Sequence, residues 1–187
     1  MNPITHFLIS WNISALSAAE KRDRILITLG GLLPDIDGLG IVFELATRHT
    51  EKPLNFYSNY HHQLAHNISA AIVGLLAMLL LAKKKLLTAF IFLIVFHIHL
   101  LCDLIGARGP EGYQWSIPYL FPFSSAMQLT WRYQWELNGW QNFVITIAMC
   151  GMVFILAWKK GFSPLEIFSA KADKLFVQTI RKYKHEQ

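Results

Sequence analysis

Residues 86–103 read LLTAFIFLIVFHIHLLCD, an unbroken apolar run whose far end carries His99 and Asp103. Lys83–Lys85 stand immediately before it, and a second apolar run, Ile68–Ala82, stops at the same lysines. A third run, Asn142–Trp158, lies between Trp140 and Lys159–Lys160. Each is a little short of the roughly 20 residues a helix needs to cross a bilayer, and flanking residues extend it. Basic residues beside apolar runs mark the cytoplasmic side, and Trp140 and Trp158 suit the interface. The reading is an all-α integral membrane bundle with three full spans, preceded by a short N-terminal helical hairpin.

Composition points the same way. Apolar residues make up 53% of the chain and charged residues 16%, whereas soluble domains carry roughly 25% charge. The net charge of +5 is gathered at Lys21–Arg24, Lys83–Lys85, Lys159–Lys160 and through the tail to Lys184. No basic stripe interleaved with aromatics appears, so a nucleic-acid partner is not expected. Cys102 and Cys150 sit in apolar stretches with no metal-knuckle or disulfide spacing, and read as buried thiols. Residues 1–11 lack the basic region and cleavage site of a secretory signal, so they are expected to stay in the mature protein.

The hairpin is expected as helices over Ile4–Ala19 and Ile25–Leu33, with Lys21–Arg24 as the turn and Pro34 as the stop. Residues 47–60 read as a loop, and 106–122, rich in Gly, Pro, Trp and Tyr, as an irregular segment packed over the bundle end. Residues 1–160 form the membrane-embedded domain, and 161–187 a basic tail helix that Pro164 starts.

Placing the lysine clusters and the tail in the cytoplasm sends Ile68–Ala82 inward, Leu86–Leu101 outward and Asn142–Trp158 inward. His61, His62 and His66 then begin a helix at the outer end where His99 and Asp103 finish another. If Lys21–Arg24 is also inside, His6, Asp35 and Asp37 point to that outer half. At 1.5 Å per residue, His66 to Lys83 covers about 25 Å and Lys85 to His99 about 21 Å, so the levels match. The site end faces outward and the C-terminus is cytoplasmic.

The pairs His99/Asp103 and His62/His66 are each four residues apart, on one helix face. Asp35 and Asp37 follow a proline break where a turn can aim both carboxylates inward. Imidazole and carboxylate together, without usable thiolate, suit a divalent metal: zinc first, with manganese or iron as alternatives. Ionisable groups beside apolar spans are costly to bury and have partners and a role. The candidate ligands are His6, Asp35, Asp37, His61, His62, His66, His99 and Asp103; Asp35, Asp37 and Asp103 are the candidate bases. His97 reads as a packing residue, His49 and His185 as solvated, and Arg108 as a candidate contact for an anionic substrate.

These motifs together resemble the YdjM family of membrane-bound, metal-dependent hydrolases: His6, Leu32-Leu33-Pro34-Asp35-Ile36-Asp37, His61-His62-Gln63-Leu64-Ala65-His66 and His99-x-x-x-Asp103. The likeness runs from His6 to Ser124, through Arg108-Gly-Pro-Glu-Gly112 and Pro118-Tyr-Leu-Phe-Pro-Phe-Ser124. It implies hydrolysis at a metal centre, distantly like that of zinc-dependent phospholipases C and single-strand nucleases. By resemblance, Asp35 or Asp37, His66, His99 and Asp103 are the best ligands, with His6 next. The family often has His-Arg-Gly at the start of the second motif. Here His62 and Gln63 follow His61, which leaves His61 and His62 as alternative ligands.

The expected activity is therefore metal-assisted hydrolysis of an ester or phosphoester, small or lipid-like, at the outer boundary of a bacterial inner membrane, with membrane lipid as a partner. The rivals are a haem-binding electron carrier using His66 and His99, an ion-translocating protein and a non-catalytic metal-binding scaffold. The sequence carries no signature of an oligomeric state.

Overall fold

The computed structural model describes residues 1–109 and 112–182. Pro110, Glu111 and the tail beyond Lys182, including Lys184 and His185, lie outside the described residues. The helices are α1 (Pro3–Leu16), α2 (Lys21–Gly30), α3 (Gly40–Thr47), α4 (Phe56–Tyr60), α5 (Ile68–Leu81), α6 (Lys85–Gly106), α7 (Trp140–Lys160) and α8 (Ala170–Lys182), with 3-10 turns at Pro34–Leu39 and Pro164–Ile167. Among the described residues no strand forms, and β pairing is limited to two isolated bridges, Arg108 with Glu136 and Ile117 with Leu129.

The three apolar runs are α5, α6 and α7. Of these α6 and α7 are long and apolar enough to cross a membrane. The α2 helix and the Pro34–Thr47 segment, bent by 59° at their junction, pass the same test only as one broken span; α5 is a shorter apolar helix. Each helix presents large apolar side chains outward: Val73 and Leu80 on α5, Leu86 and Phe90 on α6, Phe143 and Ile147 on α7. Helices that are apolar on their outer as well as their inner faces belong in lipid.

Lipid tails remove the hydrophobic drive for helices to associate, so close packing and interhelical hydrogen bonds carry the assembly. The α6 helix packs against α5, α2 and α1, and α1 packs along α7. Phe92 of α6 lies in a cradle of Gly30 and Gly74, where an added Cβ would come within 2.7 and 2.2 Å of its ring. Thr5 and Thr146 share a hydroxyl bond of 2.6 Å, and Asn12 donates to the Met149 carbonyl at 3.0 Å. Both bonds tie α1 to α7.

Several local choices explain the boundaries. Asn2 caps α1 by accepting from the Thr5 amide at 2.9 Å, with Pro3 in the first turn. Asn67 caps α5 in the same way through Ala70. That cap starts α5 at Ile68, so His61–His66 occupy turns before the helix rather than its first turns. Glu20 is extended at the start of α2, which places Lys21–Arg24 inside the helix and moves the turn back to residues 17–20. The α3 and α4 helices contain part of the 47–60 stretch read as loop. They are short and pack on each other and on the 3-10 turn. Gly161 ends α7 at φ 81°, a left-handed position that glycine takes without a Cβ clash.

At the lysine end, Asp23 accepts from the amides of Lys83 and Lys84, both at 2.9 Å, and so closes the start of α6. Arg24 makes a two-pronged pair with Glu166 at 2.9 and 2.7 Å, donates to the Ala19 carbonyl and lies 3.6 Å over the Phe162 ring. The opposite end is covered by the irregular segment. It is pinned to α5 by Ile68 donating to the Tyr119 carbonyl, and beneath it Asn142 of α7 donates to the Gly106 carbonyl at the end of α6.

Candidate metal centre

Asp103, near the end of α6 and buried, is the hub. Its Oδ1 meets His6 Nε2 at 3.0 Å and the Met1 amino group; its Oδ2 meets His66 Nε2 at 3.2 Å and His99 Nε2 at 3.1 Å. Asp35 Oδ1 stands 3.5 Å from the same His99 Nε2. Two groups of ligand atoms follow, each within 4.8 Å of one another: His6, Asp35, His99 and Asp103, and His62, His66 and Asp103. Asp103 belongs to both.

The tautomers can be worked out from the partners. His99 Nδ1 donates to the Gly31 carbonyl at 2.8 Å, since a carbonyl only accepts. On the neutral ring, Nε2 therefore carries a lone pair aimed at the carboxylates of Asp35 and Asp103. An acceptor facing acceptors is satisfied by a proton or by a cation between them. His66 repeats the pattern, with Nδ1 3.3 Å from Asp37 Oδ2 and Nε2 at Asp103. This is how second-shell groups orient ligating imidazoles. Four atoms of the centre, His6 Nδ1, His62 Nδ1, His99 Nε2 and Asp35 Oδ2, are among the buried polar atoms with no hydrogen-bond partner. The donor set thus fits a divalent cation of the zinc, manganese or iron type.

The two aspartates of the Pro34–Leu39 turn separate because successive residues of a 3-10 helix are about 120° apart, which sets i and i+2 about 240° apart. Asp35 turns toward His99. Asp37 binds His61 Nδ1 at 2.8 Å, His66 Nδ1 at 3.3 Å and the Ala65 amide at 3.2 Å. Asp37 and His61 fall outside the two ligand groups and stand behind His66. His62, not His61, joins His66 and Asp103. His62 holds φ 68°, unusual for a residue with a side chain, and stacks on His66 with ring centres 4.2 Å apart. Burial, with the neighbouring His66 charge adding, pushes the His62 imidazole well below its ordinary pKa. It is neutral near pH 7, the form that ligates.

The remaining candidates sit elsewhere. His97 spans Leu93 and the Tyr119 hydroxyl, fixing the irregular segment on α6. His49 is exposed and accepts from Arg48. Arg108 donates to the Arg132 carbonyl at 3.1 Å and lines a neighbouring cavity with Tyr57, Trp115 and Glu136. Three residues of the site have no motif to announce them. Tyr57 and Trp115 pack against His61 at 4.4 and 4.9 Å between ring centres, and Gln134 donates to the Asp103 carbonyl at 2.9 Å. The only hint for Trp115 is the aromatic richness of the segment that covers the bundle end.

A cavity of about 560 Å³ opens beside the centre. Asp35, His62 and Asp103 contribute to its polar side, and Leu29, Leu32, Leu33, Ile36 and Leu39 to its apolar side. Leu29, Ile36 and Leu39 are also exposed on the surface of the bundle, so the apolar wall of the cavity reaches the outside of the protein.

The family model described as YdjM inner membrane protein matches residues 1–177. The chain belongs to the YdjM inner membrane protein family. No curated protein and no solved structure matches it. The family match covers every motif of the centre and runs on past Ser124 into α8, beyond the stretch that the motifs mark. Membership in this inner-membrane family agrees with the apolar outer faces of α6 and α7, and the buried His/Asp groups give this member a place that can hold a metal ion.

Proposed function

We propose that the protein is a membrane-bound, metal-dependent hydrolase acting on an ester or phosphoester of an amphiphile at the membrane boundary. The observation that carries this reading is that two His/Asp groups sharing Asp103 meet, through Asp35, His62 and Asp103, a cavity also lined by leucines and isoleucine, several of them exposed on the bundle surface. His6, Asp35, His99 and Asp103 would hold one divalent cation, zinc first, and His62, His66 and Asp103 a second. Such a cation supplies the Lewis acidity that lowers the pKa of a water and polarises a scissile carbonyl or phosphoryl group.

The protein's own part is proton handling and orientation. Asp35 lines the cavity, and its Oδ2 is buried with no hydrogen-bond partner. With Oδ1, the oxygen beside His99 Nε2, as the ligating atom, the free Oδ2 would take the proton of the attacking water and return it to the leaving oxygen as the C–O or P–O bond breaks. Asp37, with each oxygen already accepting, holds His61 and His66 in place. Leu29, Leu33 and Leu39 receive the apolar chain. The haem reading is disfavoured because His66 and His99 both meet Asp103 Oδ2, which leaves a carboxylate where a macrocycle would have to lie.

Elemental analysis and turnover of p-nitrophenyl octanoate and p-nitrophenyl phosphate esters, on detergent-purified protein, test the proposal together. Stoichiometric metal with turnover that chelation abolishes and zinc, manganese or iron restores is the expected result. Full metal occupancy without turnover of any ester would leave a metal-stabilised scaffold, and metal-dependent ion flux without hydrolysis would favour transport.

The orientation proposed with it puts the centre on the outer side and α8 in the cytoplasm. Its support is the collection of Lys83–Lys85, Lys159–Lys160 and the tail at the end opposite the centre. A cysteine introduced at Asn138 should react with an impermeant thiol label in intact cells. Reaction only after lysis reverses the topology.

A further inference from the structure

Beside the apolar cavity lies a second one of about 480 Å³, and the two have a common wall of Tyr57, His61, His62 and Trp115. The second cavity differs in chemistry. It is lined by Gln63, Tyr113, Ser116, Ser125 and Gln128, and among the described lining residues there is no lysine, arginine, aspartate or glutamate. Gln128 is fixed at both ends: its Oε1 accepts from Ser116 Oγ at 3.0 Å and its Nε2 donates to the Ser125 carbonyl at 3.0 Å. Those bonds leave a second amide hydrogen, a further lone pair on Oε1 and the Ser116 oxygen lone pairs unused. Tyr113 is largely exposed at the rim, and Trp115 stands half-buried between the two cavities.

We infer that this second cavity is the headgroup subsite of the hydrolase, and that the headgroup is uncharged and rich in hydroxyls, as in a glycoside or a glycerol ester. The inference rests on the hydrolytic reading for its reaction and on the cavity alone for its chemistry. An amphiphile with its chain among Leu29, Leu33 and Leu39 and its head among Gln128, Ser116 and Tyr113 would run past His62 and Trp115, the side chains that border both cavities. Its scissile bond then lies next to the His/Asp groups. Among the described lining residues no lysine or arginine meets an anionic head. A choline head would find aromatic faces, but it has no hydroxyl with which to donate to or accept from Gln128 and Ser116, and among the described lining residues no carboxylate meets its charge. Hydroxyls donate to and accept from both, and the C–H face of a sugar ring packs on an aromatic face such as that of Tyr113 or Trp115.

The test is direct binding to the protein in lipid nanodiscs of three probes with the same alkyl chain: dodecyl glucoside, dodecylphosphocholine and dodecyl phosphate. The glucoside should bind about tenfold more tightly than the other two. Gln128→Leu and, separately, Ser116→Ala should weaken it roughly threefold to tenfold, the range for one lost hydrogen bond, while leaving the phosphocholine probe unchanged. Equal or tighter binding of either phosphate-bearing probe overturns the inference, as does an equal effect of both variants on all probes. Metal content and ester turnover measured on the same preparations keep the two readings apart. Glucoside preference without turnover rejects hydrolysis and retains the subsite; turnover without preference rejects the subsite alone.

Discussion

Asp103→Ala is expected to empty the whole centre, whereas His6→Ala and His62→Ala each empty half of it. Asp103 is the one carboxylate common to both ligand groups. Losing a group behind a ligand typically lowers metal affinity 10- to 100-fold, so removing a ligand that serves two positions should exceed about 100-fold at each. Hydrolytic turnover should fall to background. His6→Ala removes a ligand from the first group only and His62→Ala from the second only. Elemental analysis of the three variants after gel filtration, with circular dichroism to confirm helix content, reads the result. If Asp103→Ala keeps its full metal complement, the shared carboxylate is not a ligand. If His62→Ala empties both positions, the two groups hold a single ion.

The largest expected effect on stability lies at the other end of the molecule. Glu166→Ala leaves the Arg24 guanidinium without the carboxylate that binds it at 2.7 and 2.9 Å, in a place where both side chains are nearly buried, 10% and 2% exposed. Breaking a buried pair from one side costs about 3–5 kcal/mol because the remaining charge is desolvated and unmatched. The loss should appear as a large fall in the thermal midpoint in detergent. It should also release the tail, because this pair joins α2 to the turn that leads into α8. The double variant Arg24→Met with Glu166→Leu should recover most of the loss, since it buries no charge. A recovery that fails would mean that the tail is held chiefly by Ser163 and Asp173, bonded at 2.6 and 2.7 Å. The candidate metal centre lies at the far end of α6, so metal content measured on the parent should be unchanged in these variants.

Much of the centre was legible from His99-x-x-x-Asp103 because a spacing of four on a continuous helix fixes a shared face whatever surrounds it. His66 and His6 were legible from their level in the membrane, since rise per residue converts sequence distance into depth. The roles of Asp35 and Asp37 were not. Both follow Pro34, but the turn that forms is 3-10, and its tighter pitch sends one carboxylate to His99 and the other behind His66. The choice between His61 and His62 was hidden for a similar reason. The chain there is a turn, with His62 at positive φ, and no periodicity applies to it. The helices α3 and α4 were also missed, being short segments held by contact with one another and with the Pro34–Leu39 turn.

The sequence by itself determined that this chain is a helical membrane bundle with its lysine clusters at one end and its His/Asp motifs at the other. Hydropathy, charge and helical rise are local properties, and they add along the chain without reference to its partners. Only the tertiary structure decided that one carboxylate serves two ligand groups, that His62 rather than His61 stands beside it, and that an apolar and a polar cavity meet at that wall. Those features depend on the distance between side chains from α1, α6 and the turns before α3 and α5, and on loop torsions that residue type does not fix.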